Sequence, residues 1–336
     1  MLSNLSYTIP VAGRITIGDV IENERGKRLP IRLNHFRITS QYKCKGEWVP
    51  HPLQAAVAAQ MGVKEDKLTE IPVKLMFNKP ALTIRERLES YQDGRLTCAG
   101  CDKGKAKRLT REGMQTVECL GPEICEYALS AKQGCNLMAR INLRIDAAAE
   151  GSRNDEFSSF ILRTRGYNSA KTITAKLEYA AALFKNKLIG IPFILKLRKK
   201  STPLSFNSPF YYADLVLGCS LLDAAKIGQE TAEAFEKAGL DQAAFEEAVE
   251  AGLANGPFED TVEEVLEVEE LLLGADRPTE GESAESANVS TAVTQDVSQQ
   301  FDDSVVAEEA ARPYVDPTGL NALRQMIESK PDLVAA

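Results

Sequence analysis

The charges of this 336-residue chain are sorted along its length. Residues 1–218 carry 34 Lys+Arg against 21 Asp+Glu, a net of +13, whereas residues 219–336 carry 6 against 27, a net of −21. A boundary this sharp predicts a basic body and an acidic appendage rather than one evenly mixed surface. The basic part attracts nucleic acid or an acidic partner through its field. The acidic part competes for that surface, faces a basic partner, or simply aids solubility. Hydrophobic residues make up 44% of the chain, enough for a sizeable core, and its length leaves room for about two domains. No run approaches the roughly 18–20 apolar residues of a membrane span. The N-terminal MLSNLSYTIPVAGRITIGDV lacks the basic flank and apolar stretch of a secretory signal. The expectation is a cytoplasmic protein without a membrane partner.

Hydrophobic periodicity predicts an α+β fold with mixed or antiparallel strands and one interior helix. RITIGDVIE and HFRITSQ read as strands, Leu53–Met61 as a short helix, and Ile71–Phe77 as a strand closed by Asn78 and Pro80. Cys135–Asp146 alternates as a strand. After a polar loop at 147–156, Phe160, Leu162 and Thr164 share one face of the next strand. Ser169–Phe184 carries Ile173, Leu177, Ala180 and Ala181 at helical spacing, with Ser169 as N-cap. Pro192–Leu197 and Phe210–Leu217 are strands around a Ser/Pro/Asn-rich loop. The expected organisation is a basic core at 1–218, an acidic helical region at 219–273 broken near Gly252–Pro257, a disordered linker at 274–315, and a C-terminal helix within 316–336.

Five of the seven cysteines, Cys98, Cys101, Cys119, Cys125 and Cys135, fall within 38 residues. An irregular module is predicted over 91–140. Structural disulfides are rare in cytosolic proteins, so clustered thiols favour a metal, and four soft thiolates suit a closed structural Zn²⁺ site. The favoured ligands are Cys98, Cys119, Cys125 and Cys135, with Cys101 as the alternative to Cys98. Free buried thiols and a redox dithiol at Cys98-Ala-Gly-Cys101 are the competing readings.

Lys103, Lys105, Lys107, Arg108 and Arg111 sit in the insert between Cys101 and Cys119, read here as a displayed basic loop that contacts phosphate or an acidic protein, or offsets thiolate charge. Arg163, Arg165 and Lys171 flank Tyr167, and Lys196, Arg198, Lys199 and Lys200 close a strand near Tyr211 and Tyr212 in sequence. Cations beside aromatics suit single-stranded nucleic acid, although no groove-reading motif is present. The only histidines, His35 and His51, read as structural, and no GxSxG, P-loop or HExxH motif occurs. An all-cysteine zinc site lacks the open position that catalysis needs, so neither an enzyme nor a small-molecule substrate is expected. A metal-dependent hydrolase remains an alternative reading, as does a single-stranded DNA-binding accessory protein.

The ordered segments GRITIGDV, GKRLP, HFRITSQ, HPL, IPVKLMFN, GRLTCAG, GMQTVECLGPEIC, CNLMARINLRI, FILRTRGYNSAKTITAKLEY, PFILKLRKKST and FYYADL resemble the phage recombination directionality factors that work with large serine integrases. Relatives in integrative and conjugative elements often carry the label "hydrolase or metal-binding protein". The resemblance covers about residues 9–217 and leaves the acidic region outside. It implies a non-enzymatic protein that binds an integrase, with DNA as a further partner, and redirects recombination towards excision. Carried over by position, the family-like cysteines are Cys98, Cys119, Cys125 and Cys135, and Cys101 is an addition.

Overall fold

The computed structural model describes residues 8–22, 28–92, 95–102, 104–131, 134–148, 155–201 and 209–254. Two long strands open the fold, β1 (Val11–Glu22) and β2 (Arg28–Cys44), followed by β3 (Glu47–Pro50), helix α1 (Pro52–Gln60) and β4 (Glu70–Lys74). A one-turn helix α2 (Pro80–Thr83) leads into the meander β5 (Ile84–Gln92), β6 (Arg95–Asp102), β7 (Lys105–Thr110) and β8 (Gly113–Glu118). Next come α3 (Glu126–Ser130), β9 (Cys135–Ile145), β10 (Ser159–Thr164), α4 (Tyr167–Leu183), β11 (Phe193–Lys200) and β12 (Phe210–Leu217). Helices α5 (Leu221–Ala238) and α6 (Gln242–Ala254) finish the described chain. The class is α+β, as the periodicity predicts.

The large sheet runs β3-β2-β1-β10-β9-β5-β6-β7-β8, and β4, β11 and β12 branch from β9 as a second sheet. Only β1 and β10 pair in parallel among the described ladders. One face of the large sheet forms the core. Strand period two turns Ile15, Phe36, Ile38, Ala139, Ile141, Leu143, Phe160 and Leu162 inward. There they meet Leu53 and Val57 of α1, Ile173, Leu177 and Ala181 of α4, and Leu195 and Leu215 of the second sheet. Each fully buried side chain of this size contributes roughly 1.5–3 kcal/mol.

Three sequence expectations change. The 91–140 segment is not an irregular module: β5–β8 continue the large sheet edge to edge, and β9 begins at Cys135. Its strands carry small and charged residues in place of an apolar alternation, which hides them from a periodicity reading. The insert between Cys101 and Cys119 is accordingly a β-hairpin rather than a displayed loop. Ser169 is not the N-cap of α4. Gly166 occupies that position, and the Ser169 hydroxyl accepts from the Ala213 N–H at 3.0 Å. Strand β4 also ends at Lys74, before Leu75–Phe77.

The acidic helices pack on the basic body. Ser220 caps α5 by accepting from the Asp223 N–H, and Gly239 ends it at φ 72°, in the left-handed region that glycine enters without strain. This break at Gly239–Asp241 was not visible in the pattern. Helix α6 lays Phe245, Val249 and Leu253 on a second small core of Ile9, Met76, Phe77 and Leu82, with Phe245 stacked on Phe77 at 5.7 Å. Glu246 is buried there and accepts from the Asn78 N–H at 2.6 Å. The break read at Gly252–Pro257, the linker at 274–315 and the helix within 316–336 fall wholly or largely outside the described residues.

Candidate functional site

Cys98, Cys119, Cys125 and Cys135 come together at the β8 end of the large sheet. On β6, Cys98 pairs with Ser90 of β5, and Ser90 pairs on its other side with Cys135 at the start of β9. Cys119 follows β8, its N–H donating to the Gly104 carbonyl at 2.8 Å, and Cys125 is the N-cap of α3. All four are free thiols lining one cavity of about 20 Å³, together with Ser90, Gly100, Arg108 and Tyr127. That volume is close to the space one small guest needs. Gly100 keeps the strands close, since a Cβ there would stand 2.3 Å from that of Ala106.

Arg108 reaches into the same place from β7. Its Nη2 donates to Cys125 Sγ at 3.5 Å and its guanidinium lies 4.3 Å from the Tyr127 ring centre. Burial opposes its charge, but hydrogen bonds and charge from Cys98 and Cys125 together hold its pKa above the ordinary arginine value. As they stand, no three Cys, His, Asp or Glu side chains among the described residues form a group that could hold a metal. The shared cavity and the ligand geometry therefore differ. The cavity reports proximity, and a closed tetrahedral set would need the side chains to turn towards a common centre. The Cys101 side chain and Lys103 lie outside the described residues.

The described basic residues among those predicted occupy four places. Lys105 and Lys107 lie on β7, where Arg108 pairs with Cys98, and Arg111 is exposed at the hairpin turn. On the second sheet, Lys196 pairs with Glu70 at 2.7 Å, and Arg198 with the buried Asp214 at 2.6 Å, which Lys176 also contacts. Lys199 and Lys200 are exposed beyond them. Tyr167, at the start of α4, is exposed with Lys171 5.9 Å from its ring centre. Arg163 and Arg165 lie elsewhere, on the large sheet face turned away from the core.

That face contains an arginine array the sequence reading missed. Arg85 of β5, Arg140 of β9 and Arg163 of β10 are direct cross-strand partners, and Arg14 stands on β1 beside them. Like charges directly opposite are destabilising unless neutralised. Glu89 supplies a counter-charge at the centre: Arg140 donates to both its oxygens, at 2.7 and 3.1 Å, and Tyr91 donates to it at 2.8 Å. Arg85 donates to Asn142 at 2.9 Å, Arg165 to Asn136 at 2.6 Å, and the Arg14 guanidinium covers the Trp48 ring at 3.6 Å. Burial lowers the Arg165 pKa. The alternation Arg85, Arg87, Glu89, Tyr91 was legible on one strand, but the row requires knowing which strands are neighbours.

Residues 12–218 match the family described as Gp3-like, recombination directionality factor-like. The chain belongs to this family. The matched span takes in the thiol cavity, the arginine array and both sheets except Val11, the first residue of β1, and ends before α5. Such proteins are accessory factors of phage and mobile-element recombination and are generally non-catalytic. No curated protein and no solved structure matches the chain. Among the described residues no helix is long and apolar enough to cross a membrane.

Proposed function

We propose that this chain is a non-catalytic accessory factor of a phage or integrative conjugative element, which binds the element's integrase, alone or on DNA, and turns site-specific recombination towards excision. The family match over residues 12–218 carries this reading. The mechanism is a population shift. The factor binds the excision-competent arrangement of integrase more tightly than the alternative, and biases the equilibrium only by that difference. Moving a two-state balance from about 1:99 to about 99:1 needs roughly 10⁴-fold differential affinity. The test is recombination in vitro with the element's own integrase and separate insertion and excision substrates. Excision products should rise and insertion products fall as the chain is titrated in. Unchanged yields of both would sink the proposal. A mobility shift that needs integrase separates this reading from single-strand binding, which the chain would perform alone and lose steeply with salt.

The same reading includes one structural Zn²⁺ on Cys98, Cys119, Cys125 and Cys135. The shared cavity, lined by all four of these cysteines, supports this donor set. Bound zinc would cross-link β6, the β8–α3 connection and β9. Four thiolates around it leave a net −2, which Arg108 is placed to offset. Elemental analysis of purified protein should find about one zinc per chain, and Cys119→Ser should release it and destabilise this end of the sheet. Full metal content and unchanged stability in Cys119→Ser would remove the zinc assignment.

A further inference from the structure

The described sheets have three outer edges, and two of them are protected. At one end of the large sheet β3 has only four residues, finishes at Pro50, and pairs with β2 through a register shift. Short length, proline and an irregular register are ordinary ways of blunting an edge. The second sheet ends at β12, where α4 packs and the Ser169 hydroxyl accepts from the Ala213 N–H at 3.0 Å. The third edge is β8, Gly113–Glu118. It pairs with β7 through six residue pairs without a shift, contains neither lysine nor proline, and has no described strand on its outer side. Met114, Gln115, Thr116 and Glu118 are exposed. Leu109 and Met114, direct cross-strand partners, are exposed beside each other.

The ladder fixes which backbone groups of β8 point outward. Cys119, just past the strand, donates its N–H to the Gly104 carbonyl at 2.8 Å. Bonded positions alternate along an antiparallel strand, so Gly113, Gln115 and Val117 also turn their N–H and carbonyl groups to β7. Met114, Thr116 and Glu118 turn theirs outward. A second β8, antiparallel and related by a two-fold axis perpendicular to the sheet, would meet these groups in one centred register. Thr116 would stand opposite Thr116, and Met114 opposite Glu118 in both directions. All three outward residues would then lie in bonded pairs, with about six hydrogen bonds. Facing threonines are a favourable cross-strand pair, and no like charges would stand directly opposite. Sliding the register one way sets Glu112 against Glu118. Sliding it the other way leaves Met114 opposite Leu120, beyond the strand. The two-fold would also bring the hairpin turn of one copy to the C-terminal end of β8 in the other, setting exposed Arg111 beside Glu118. Glu112 is drawn towards the opposite face by Gln115, whose Nε2 donates to it at 3.0 Å.

We propose that β8 is a self-association edge, at which a second copy of this chain adds its own β8 antiparallel about Thr116 and joins the two large sheets into one. The edge fits its own kind because it is complementary to itself in register, in backbone bonding and in charge. A two-fold pairing uses the same surface on both copies, so it closes at a dimer and does not propagate into a filament. Self-association requires neither integrase nor DNA, and holds whichever recombinase the protein serves.

The test is analytical ultracentrifugation of the full chain, without integrase, over a range of concentrations. The unaltered chain should pass from monomer to dimer as concentration rises. Thr116→Glu and Thr116→Lys each set like charges directly opposite at the two-fold, and each should raise the dimer dissociation constant about a hundredfold. Mixed in equal amounts, the two variants should form a heterodimer at least as readily as the unaltered chain forms its dimer. Recovery in the mixture also shows that both variants fold. Amide hydrogen exchange on the unaltered chain reads the pairing independently. Met114, Thr116 and Glu118 should exchange more slowly as concentration rises, whereas Gln115 and Val117, already bonded to β7, should not change. A chain that stays monomeric up to about 1 mM overturns the proposal. So does a dimer indifferent to both charges, or a mixture of folded variants that stays monomeric. A monomeric chain whose integrase binding is lost in Thr116→Glu assigns the edge to a strand of the recombinase, and likewise overturns self-pairing.

Discussion

The two faces of the large sheet are built from the same strands and hold together by opposite physics. On β9, Ala139, Ile141 and Leu143 point into an apolar core, while Met138, Arg140 and Asn142 point to the arginine face. Apolar burial is non-directional and spreads over many neighbours, so no single contact decides it. Ionic burial is pairwise: Arg140 is tolerable at 0% exposure because Glu89 accepts a hydrogen bond from each of its two terminal nitrogens. The first face is robust and unselective, the second conditional and selective.

The largest expected effect tests that pairwise character. Glu89→Ala leaves Arg140 buried without its carboxylate and should cost about 3–5 kcal/mol, read as a lower urea midpoint. Replacing both Glu89 and Arg140 by Met should recover most of the loss; a double variant as unstable as Glu89→Ala would break the distinction between the faces. On the apolar side, Leu162→Ala should cost about 3 kcal/mol through lost burial and a partly collapsed cavity, with an unchanged urea slope. Phe245→Ala comes next, at about 2 kcal/mol. It removes the stack on Phe77 and should loosen α6, raising hydrogen exchange there before the sheets respond.

The smallest effect concerns pH. His51 caps α1 by accepting from the Leu53 N–H at 3.2 Å, a role that requires a neutral acceptor nitrogen, and burial holds its pKa below the ordinary histidine value. Because the folded pKa is depressed, the unfolded chain binds the proton more readily. The stability contributed by this group is complete above about pH 6.5 and is lost as pH falls through the lower folded value. His51→Asn keeps a capping acceptor without titrating, so its melting temperature should fall less between about pH 7.5 and pH 5 than that of the parent. Equal slopes would assign the pH response to other groups.

Legibility in the sequence follows the same division. The inward alternation of Phe160, Leu162 and Thr164, the strand beginning at Cys135 and the helical spacing of Ile173, Leu177 and Ala181 are all local patterns, and each is found in the fold. Strands β6 and β7, TCAGCD and KAKRLT within them, lack such a pattern and were read as an irregular module. Ser169 looked like a cap by composition, but its hydroxyl accepts from a strand 44 residues away. Cys98, Cys119, Cys125 and Cys135 line one cavity, and their convergence depends on Ser90 standing between Cys98 and Cys135.

The sequence by itself determined the division into a basic body and an acidic region, the thiol cluster and the faces of most strands, because charge, chemistry and side-chain period are local properties. Tertiary structure alone decided that Arg85, Arg140 and Arg163 form one row, that Arg108 enters the thiol cavity, and that α6 packs on the small core of Ile9, Met76, Phe77 and Leu82. Those outcomes depend on strand order and register, which are set by long-range burial between segments far apart in the chain.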